Sequence, residues 1–286
     1  MAQIQAMEAR AKAIGHTDAF YYMWPENSIP AATAQALAAA GIDANRVMPD
    51  IHVEAGGGVA TAMADFAAQP SFNERAINCE TNAATSHMLR AVQEAADLQA
   101  WFNVSAPLQD RLFARTASFC TGSSGHMDNY DQWVFDQQLV FFLPNQTWFQ
   151  PPAYVHTMIA ASWADNALRF SVAGGGSTAW LAASAQLSDD NTTMTIQLVN
   201  SDTSAVPATV EVSINGFTPA PKVVVTTLAE QGLTPGTAPN PKAGNPVGMP
   251  TLISPVDTAT TWPVSGPLTL SIPPLSFTVL VVHAVV

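Results

Sequence analysis

Charge is scarce in this 286-residue chain: only 11% of its residues are Asp, Glu, Lys or Arg, and 22 acidic groups outnumber ten basic ones. The resulting net charge of −12, with no basic cluster, repels phosphate backbones and anionic lipid. Nucleic acid and membrane surfaces are therefore excluded as preferred partners, and a neutral small molecule or glycan suits such a surface better. Cysteine is nearly absent. Cys79 and Cys120 cannot build a disulfide scaffold and lack metal-ligand spacing, so each reads as a small buried thiol ending a short apolar run. No His/Cys/Asp/Glu spacing suggests a metal, and neither a Gly-x-Ser-x-Gly elbow nor a phosphate loop occurs, so no cofactor is expected. No run approaches the roughly 20 apolar residues of a membrane span. The first residues lack the apolar centre of a secretory signal, which makes a soluble protein without a leader the expectation. Asn-x-Ser/Thr triplets at Asn103, Asn145 and Asn191 matter only if the parent protein is exported.

What the chain does have is apolar residues, 48% of the total, enough for one large or two medium domains with buried cores. Two patterns meet near Asp165. Before it, short apolar runs alternate with helical periodicity, as in βα units of a parallel sheet. Helices are expected over 2–14 and 30–41, with Pro30 at the start of the second and Gly41 stopping it. Strands are expected over 19–23, 47–53, 75–79 and 116–120, and a further helix follows Gly56-Gly57-Gly58 to about residue 68. Asn82 is placed to cap the long helix carrying Met88, Val92, Ala95 and Phe102. After Asp165 come Thr/Val/Ser-rich runs of period two, at 167–173, 179–185, 193–199, 208–214, 222–228, 268–272 and 277–285, with a long Pro/Gly/Asn loop over 230–267. The predicted fold class is thus α/β plus all-β. A partial (β/α)8 barrel of about four βα units spans 1–165, and an antiparallel β-sandwich spans 166–286.

In a parallel barrel the chemistry gathers at the C-terminal ends of the strands. Three expected strands end there in polar residues: Asp50-Ile-His52-Val-Glu54, Asn78-Cys-Glu80-Thr-Asn82 and Gly122-Ser-Ser-Gly-His126, with Glu26 just past another. Position alone leaves two readings of Glu80. It is a carboxylate in a cleft, or a first-turn carboxylate favoured by a helix dipole. His52 fits a hydrogen-bonded structural histidine as well as a substrate contact, His126 reads as solvated, and Gly174-Gly-Gly176 reads as a hairpin turn.

The segment Arg75-Ala-Ile-Asn-Cys-Glu80-Thr-Asn-Ala, followed by Met88-Leu-Arg-Ala-Val-Gln-Glu-Ala-Ala-Asp-Leu-Gln, resembles the seventh-strand region of glycoside hydrolase family 51. Asn129-Tyr-Asp-Gln-Trp133, Pro144-Asn-Gln-Thr-Trp148 and Pro151-Pro-Ala-Tyr154-Val-His-Thr-Met158 look like that family's closing barrel segment. Asn200, Asn215-Gly-Phe217, Asn245-Pro and Pro273-Pro-Leu-Ser-Phe-Thr-Val-Leu280 keep the order of its C-terminal sandwich, the last being the most specific match.

The resemblance implies a retaining α-L-arabinofuranosidase that removes terminal arabinofuranose from hemicellulose and pectin glycans. Its partner would be an arabinose-containing oligo- or polysaccharide, and a homo-oligomer is a common state of the family. A retaining pair needs two carboxyl groups about 5–5.5 Å apart. By resemblance Glu80 is the nucleophile, while His52, Asn78, Gln132 and Trp133 line the sugar pocket. The family's acid/base sits in a Gly-Asn-Glu motif that this sequence lacks, and neither Glu26 nor Glu54 is a good substitute. Where many members carry a Tyr two residues after the His, this chain has Glu54. The family also supplies sandwich strands ahead of the barrel that have no counterpart here. The expectation is therefore a truncated hydrolase, weakly active or inactive alone. The alternative is a non-catalytic carbohydrate-binding or scaffold protein.

Overall fold

The computed structural model describes residues 2–16, 22–24, 29–43, 46–51, 53–54, 59, 61–62, 76–78, 81–82, 87–103, 112–115, 121–123, 139–174 and 180–285. The chain forms two compact units. The first comprises residues Met1–Glu54, Gly58–Asn82 and Val104–Ser118, and the second Ala55–Gly57, Ala83–Asn103 and Phe119–Val286.

In the first unit, helices α1 (Ala2–Ala13) and α2 (Ala31–Ala39) accompany short parallel strands. Gly41 stops α2 as expected. At φ +71° it lets Ile42 N–H reach back to the Leu37 carbonyl (3.0 Å) and its own N–H to Ala38 (3.0 Å), the reciprocal bonds of a left-handed C-cap. Leu37, Ile42 and Val47 form a small core with Ile4, Tyr22 and Trp24 around them. Beside it Glu8 accepts hydrogen bonds from Tyr22 (2.8 Å) and Arg46, and the Arg46 guanidinium lies 5.6 Å from the centre of the Tyr22 ring. Strand β1 (Tyr22–Trp24) pairs in parallel with β2 (Val47–Pro49). The run expected as one strand over 47–53 is two pieces, with β3 (Val53–Glu54) separate. Between them the backbone changes partners: Asp50 N–H bonds Trp24 (2.8 Å), and Ile51 N–H bonds Ile77 (2.7 Å).

The second unit is built on an antiparallel six-stranded sheet. Its order is β10 (Asn166–Ala167), β11 (Leu181–Leu187), β12 (Thr193–Asn200), β17 (Ser276–Ala284), β14 (Pro219–Leu228) and β15 (Val256–Thr261). Both faces of its centre are covered, and the side-chain alternation sorts residues between them. Met194, Ile196 and Leu198 of β12, with Leu280 and Val282 of β17, meet Leu268 and Ile272 of β16 (Leu268–Ile272), which pairs with β13 (Ala208–Val212). On the other face Val199, Phe277 and Val279 pack with Met88, Val92 and Leu98 of α3 (Met88–Phe102) and with Val155 and Met158 of α4 (Pro151–Ala161). Each such fully buried aliphatic or aromatic side chain stabilises by about 1.5–3 kcal/mol.

Several sequence expectations are corrected. Asn82 does not cap α3: it lies in β5 (Thr81–Asn82), and the helix begins after His87. His87, at the N-cap position, makes no side-chain capping bond. The first two helical N–H groups, of Met88 and Leu89, donate instead to the carbonyls of Ala243 (2.8 Å) and Pro241 (3.0 Å). The 230–267 segment is not all loop, since it contains β15 at the sheet edge. Of the strand expected over 167–173 only Ala167 lies in a strand, β10, which begins at Asn166. The Trp133–Ile159 stretch resolves, where described, into a hairpin of β8 (Val140–Leu143) and β9 (Gln146–Phe149), then α4 with its prolines in the first turn, where a missing N–H costs nothing. The strand expected at 116–120, both cysteines, and most of the helix expected before residue 68 lie outside the described residues; Val59, Thr61 and Ala62 of that helix are helical.

Candidate active site

Ala-Ile-Asn at 76–78 forms β4, with Ala76 fully buried. It runs parallel to β6 (Leu112–Arg115), with Ala76 opposite Leu112 and Asn78 opposite Arg115. On its other side Ile77 bridges in parallel to Asp50. Parallel strands present their C-terminal ends on one side, so Trp24, Asp50, Asn78 and Arg115 all come out at the same edge of this run. Asp50 is buried there. A second parallel pair follows in the chain, with Val53 opposite Thr81 and Glu54 opposite Asn82.

Of the candidate residues, Asn78 is the last residue of β4. Glu80, His52, Gln132 and Trp133 lie outside the described residues, as do Glu26 and His126. His52 immediately precedes Val53, Glu80 immediately precedes Thr81, and Val53 and Thr81 are partners.

Sequence reasoning missed a buried ionic cluster in the second unit. Glu94 of α3 is fully buried and both of its oxygens are occupied. Oε1 accepts from Arg90 Nε (3.2 Å) and Nη2 (2.9 Å), and Oε2 lies 3.1 Å from His156 Nε2 on α4. Burial pushes the Glu94 carboxyl up. The His156 hydrogen bond, the Arg90 and His156 charges and the Arg90 hydrogen bond outweigh it and hold the carboxyl below its ordinary value. With both oxygens engaged and the side chain buried, Glu94 ties α3 to α4. The signal was present as an Arg/Glu pair at i,i+4, but such pairs usually lie on a solvated face.

A cleft of about 1170 Å³ in the same unit runs between residues 168–174, β11 and β13, with Arg169, Trp180, Glu211 and Asn215 among its lining. It contains none of the strand-end residues. Among the described residues no three His, Cys, Asp or Glu side chains group as metal ligands, and no helix is long and apolar enough to cross a membrane.

No protein-family model and no curated protein sequence matches the chain. Solved structures do. An arabinose-bound family 51 α-L-arabinofuranosidase superposes with a TM-score of 0.64 at 15% identity, over 96% of this chain and 47% of that one. The family 51 enzyme from Bifidobacterium longum gives 0.58 at 12% identity, over 96% and 61%. An arabinose complex of the Thermotoga maritima α-L-arabinofuranosidase gives 0.57 at 15% identity, over 87% and 55%. The chain spans about half the length of these relatives, and its fold is that of the corresponding part of a family 51 α-L-arabinofuranosidase.

Proposed function

We propose that this chain is the sugar-hydrolysing C-terminal half of a retaining α-L-arabinofuranosidase. In this reading residues 1–165 are the last βα units of a (β/α)8 barrel, and residues 166–286 are its C-terminal β-sandwich. Glu80 is the nucleophile, Asn78 and His52 hold the sugar, and Gln132 and Trp133 contact it further out. The observation that carries the proposal is the parallel register at the strand ends. Asn78 closes β4, and the residues directly before Val53 and Thr81, which are paired, are His52 and Glu80. Fold similarity over 96% of the chain to an arabinose-bound hydrolase supports it.

In the first step a Glu80 carboxylate oxygen attacks the anomeric carbon, the bond from that carbon to the leaving oxygen breaks, and a glycosyl ester forms. Water then hydrolyses the ester with net retention. Protonating a natural leaving group takes a second carboxyl group. The sequence has no Gly-Asn-Glu segment to supply it, and we assign that acid/base to polypeptide outside this sequence.

An aryl arabinofuranoside with a dinitrophenolate leaving group needs no such acid, so it isolates the nucleophile. The wild-type chain is expected to gain one pentosyl unit on the peptide containing Glu80, with little steady-state turnover, and Glu80→Gln to gain none. Equal labelling or equal hydrolysis by the two proteins would remove Glu80 from the role. Glycan binding without any adduct would favour the carbohydrate-binding protein instead.

A further inference from the structure

On the helix side of the six-stranded sheet, β17 presents Phe277, Val279 and Val281, as an apolar interface requires. The neighbouring strands follow suit only at Ala182 and Val199. On β11 the alternation sends Ala183, Ala185 and Leu187 to the side facing β16, which leaves Ser184 and Gln186 on the helix side. On β12 Met194, Ile196 and Leu198 face β16, which leaves Thr195 and Gln197 beneath the helix. The antiparallel register sets Ser184 opposite Gln197 and Gln186 opposite Thr195. Directly opposed side chains lie about 5 Å apart at Cβ, so the four form one patch. Helix α3 meets it with Gln99, whose Nε2 donates to Gln197 Oε1 (2.8 Å), and one turn later Asn103 Nδ2 donates to the Ala183 carbonyl (2.9 Å).

Gln99 and Gln197 are fully buried, and Ser184, Gln186 and Thr195 are at most 4% exposed. The Thr195 hydroxyl is satisfied by the Ser162 carbonyl (2.8 Å). Four other buried atoms have no hydrogen-bond partner among the described residues: Gln99 Oε1, Gln197 Nε2, Ser184 Oγ and Gln186 Oε1. Buried polar groups are nearly always paired, so four in one patch call for a common partner.

The chemistry of the patch defines that partner. Two carboxamides that share one hydrogen bond leave one donor group and one acceptor group over, whichever way round each amide is turned. The Ser184 hydroxyl can serve as either. A cation only donates or coordinates, an anion only accepts, and an apolar group does neither. The partner must be small, uncharged, and able to donate and accept at one point.

We propose that Gln99, Ser184 and Gln197 enclose an internal water site. The water donates to Gln99 Oε1 and Ser184 Oγ and accepts from Gln197 Nε2, three bonds being the usual number for a buried water. Gln186 Oε1, two residues along the same face, extends the site to a second water bonded to the first. The site fastens α3 to β11 and β12 where apolar contact gives way, and it stands whether or not the chain hydrolyses sugar.

The test is a crystal structure of the full chain at a resolution that shows ordered solvent, with oxygen-17 relaxation dispersion to count long-lived internal waters in solution. A solvent peak is expected within about 3.2 Å of Gln99 Oε1, Gln197 Nε2 and Ser184 Oγ. The double variant Gln99→Met, Gln197→Met, which removes both amides, is expected to lose the dispersion amplitude of at least about one water. Side chains bonded to one another with no solvent peak between them would overturn the site. So would a peak about 2.4 Å from the oxygens, the distance of a bound cation, or equal dispersion amplitude in the two proteins. If the double variant does not fold, the wild-type crystal structure decides alone.

Discussion

In the first unit the longest described strand, β6, has four residues, whereas in the second β14 has ten and β17 nine. Antiparallel neighbours in the second unit share long registers: Thr193 to Asn200 of β12 are each paired with a residue of β17. The parallel pairs of the first unit share two or three residues each. A ladder that short contributes few hydrogen bonds, so packing around Leu37 and Val47 has to supply most of the order there. The longer sheet also tolerates buried polarity, with Gln197, Thr278 and the Arg90–Glu94 pair all inside the second unit.

Glu94→Ala should have the largest effect on that contrast. It removes the buried carboxylate that Arg90, 1% exposed, and His156 both engage, and a loss of about 3–5 kcal/mol is expected from urea unfolding of the second unit. A loss below about 1 kcal/mol would mean that water reaches Arg90 readily. Next come paired truncations. Leu280→Ala and Leu37→Ala, at 0% and 3% exposure, should each cost about 2–5 kcal/mol. Segment-resolved amide exchange should show each loss confined to the unit that carries it, and protection lost across both units in either variant would break the comparison.

Acid should sharpen it further. The Glu94 carboxyl is held below its ordinary value of 4.5 in the folded protein, so its contribution is complete above that value and is lost as pH falls below it. Asp190, held low by the Ser188 hydroxyl, and Asp202, held low by the Ser204 N–H, titrate in the same direction. Subtracting the Glu94→Gln stability profile from that of wild type isolates the buried group, and a flat difference below pH 4.5 contradicts the assignment. The smallest effect is at Gly41. Its φ of +71° strains any side chain although space is open around it, so Gly41→Ala should cost about 1 kcal/mol in the first unit alone, measured by thermal unfolding.

Elements that carry their own periodicity were legible in the sequence. The period-two runs at 193–199 and 222–228 became β12 and most of β14, and Pro30 and Gly41 bracketed α2 as read. Features set by distant contacts were not. Asn82 is a good capping residue by type, but the α3 cap comes from Pro241 and Ala243. Strand β15, Val-Asp-Thr-Ala-Thr-Thr, is almost wholly exposed at an edge and so lacks the apolar alternation that marks a half-buried strand. Arg90 and Gln99 are polar by type and yet buried, because α3 is enclosed on nearly every side. Of the candidate site, Asn78 is located at its strand end. Glu80 and His52 were singled out by strand-end chemistry and family resemblance, and Gln132 and Trp133 by resemblance alone; all four lie outside the described residues.

The central position of β17 has a consequence for synthesis. Residues 276–284 join β12 to β14, and no other described strand can do so. Without residues 276–284 the chain can hold the β11–β12 pair and the β14–β15 pair, but each has an unpaired edge where β17 lies. Residue 276 and those after it must be made before the sheet closes, and any product halted before residue 276 carries two exposed strand edges open to aggregation.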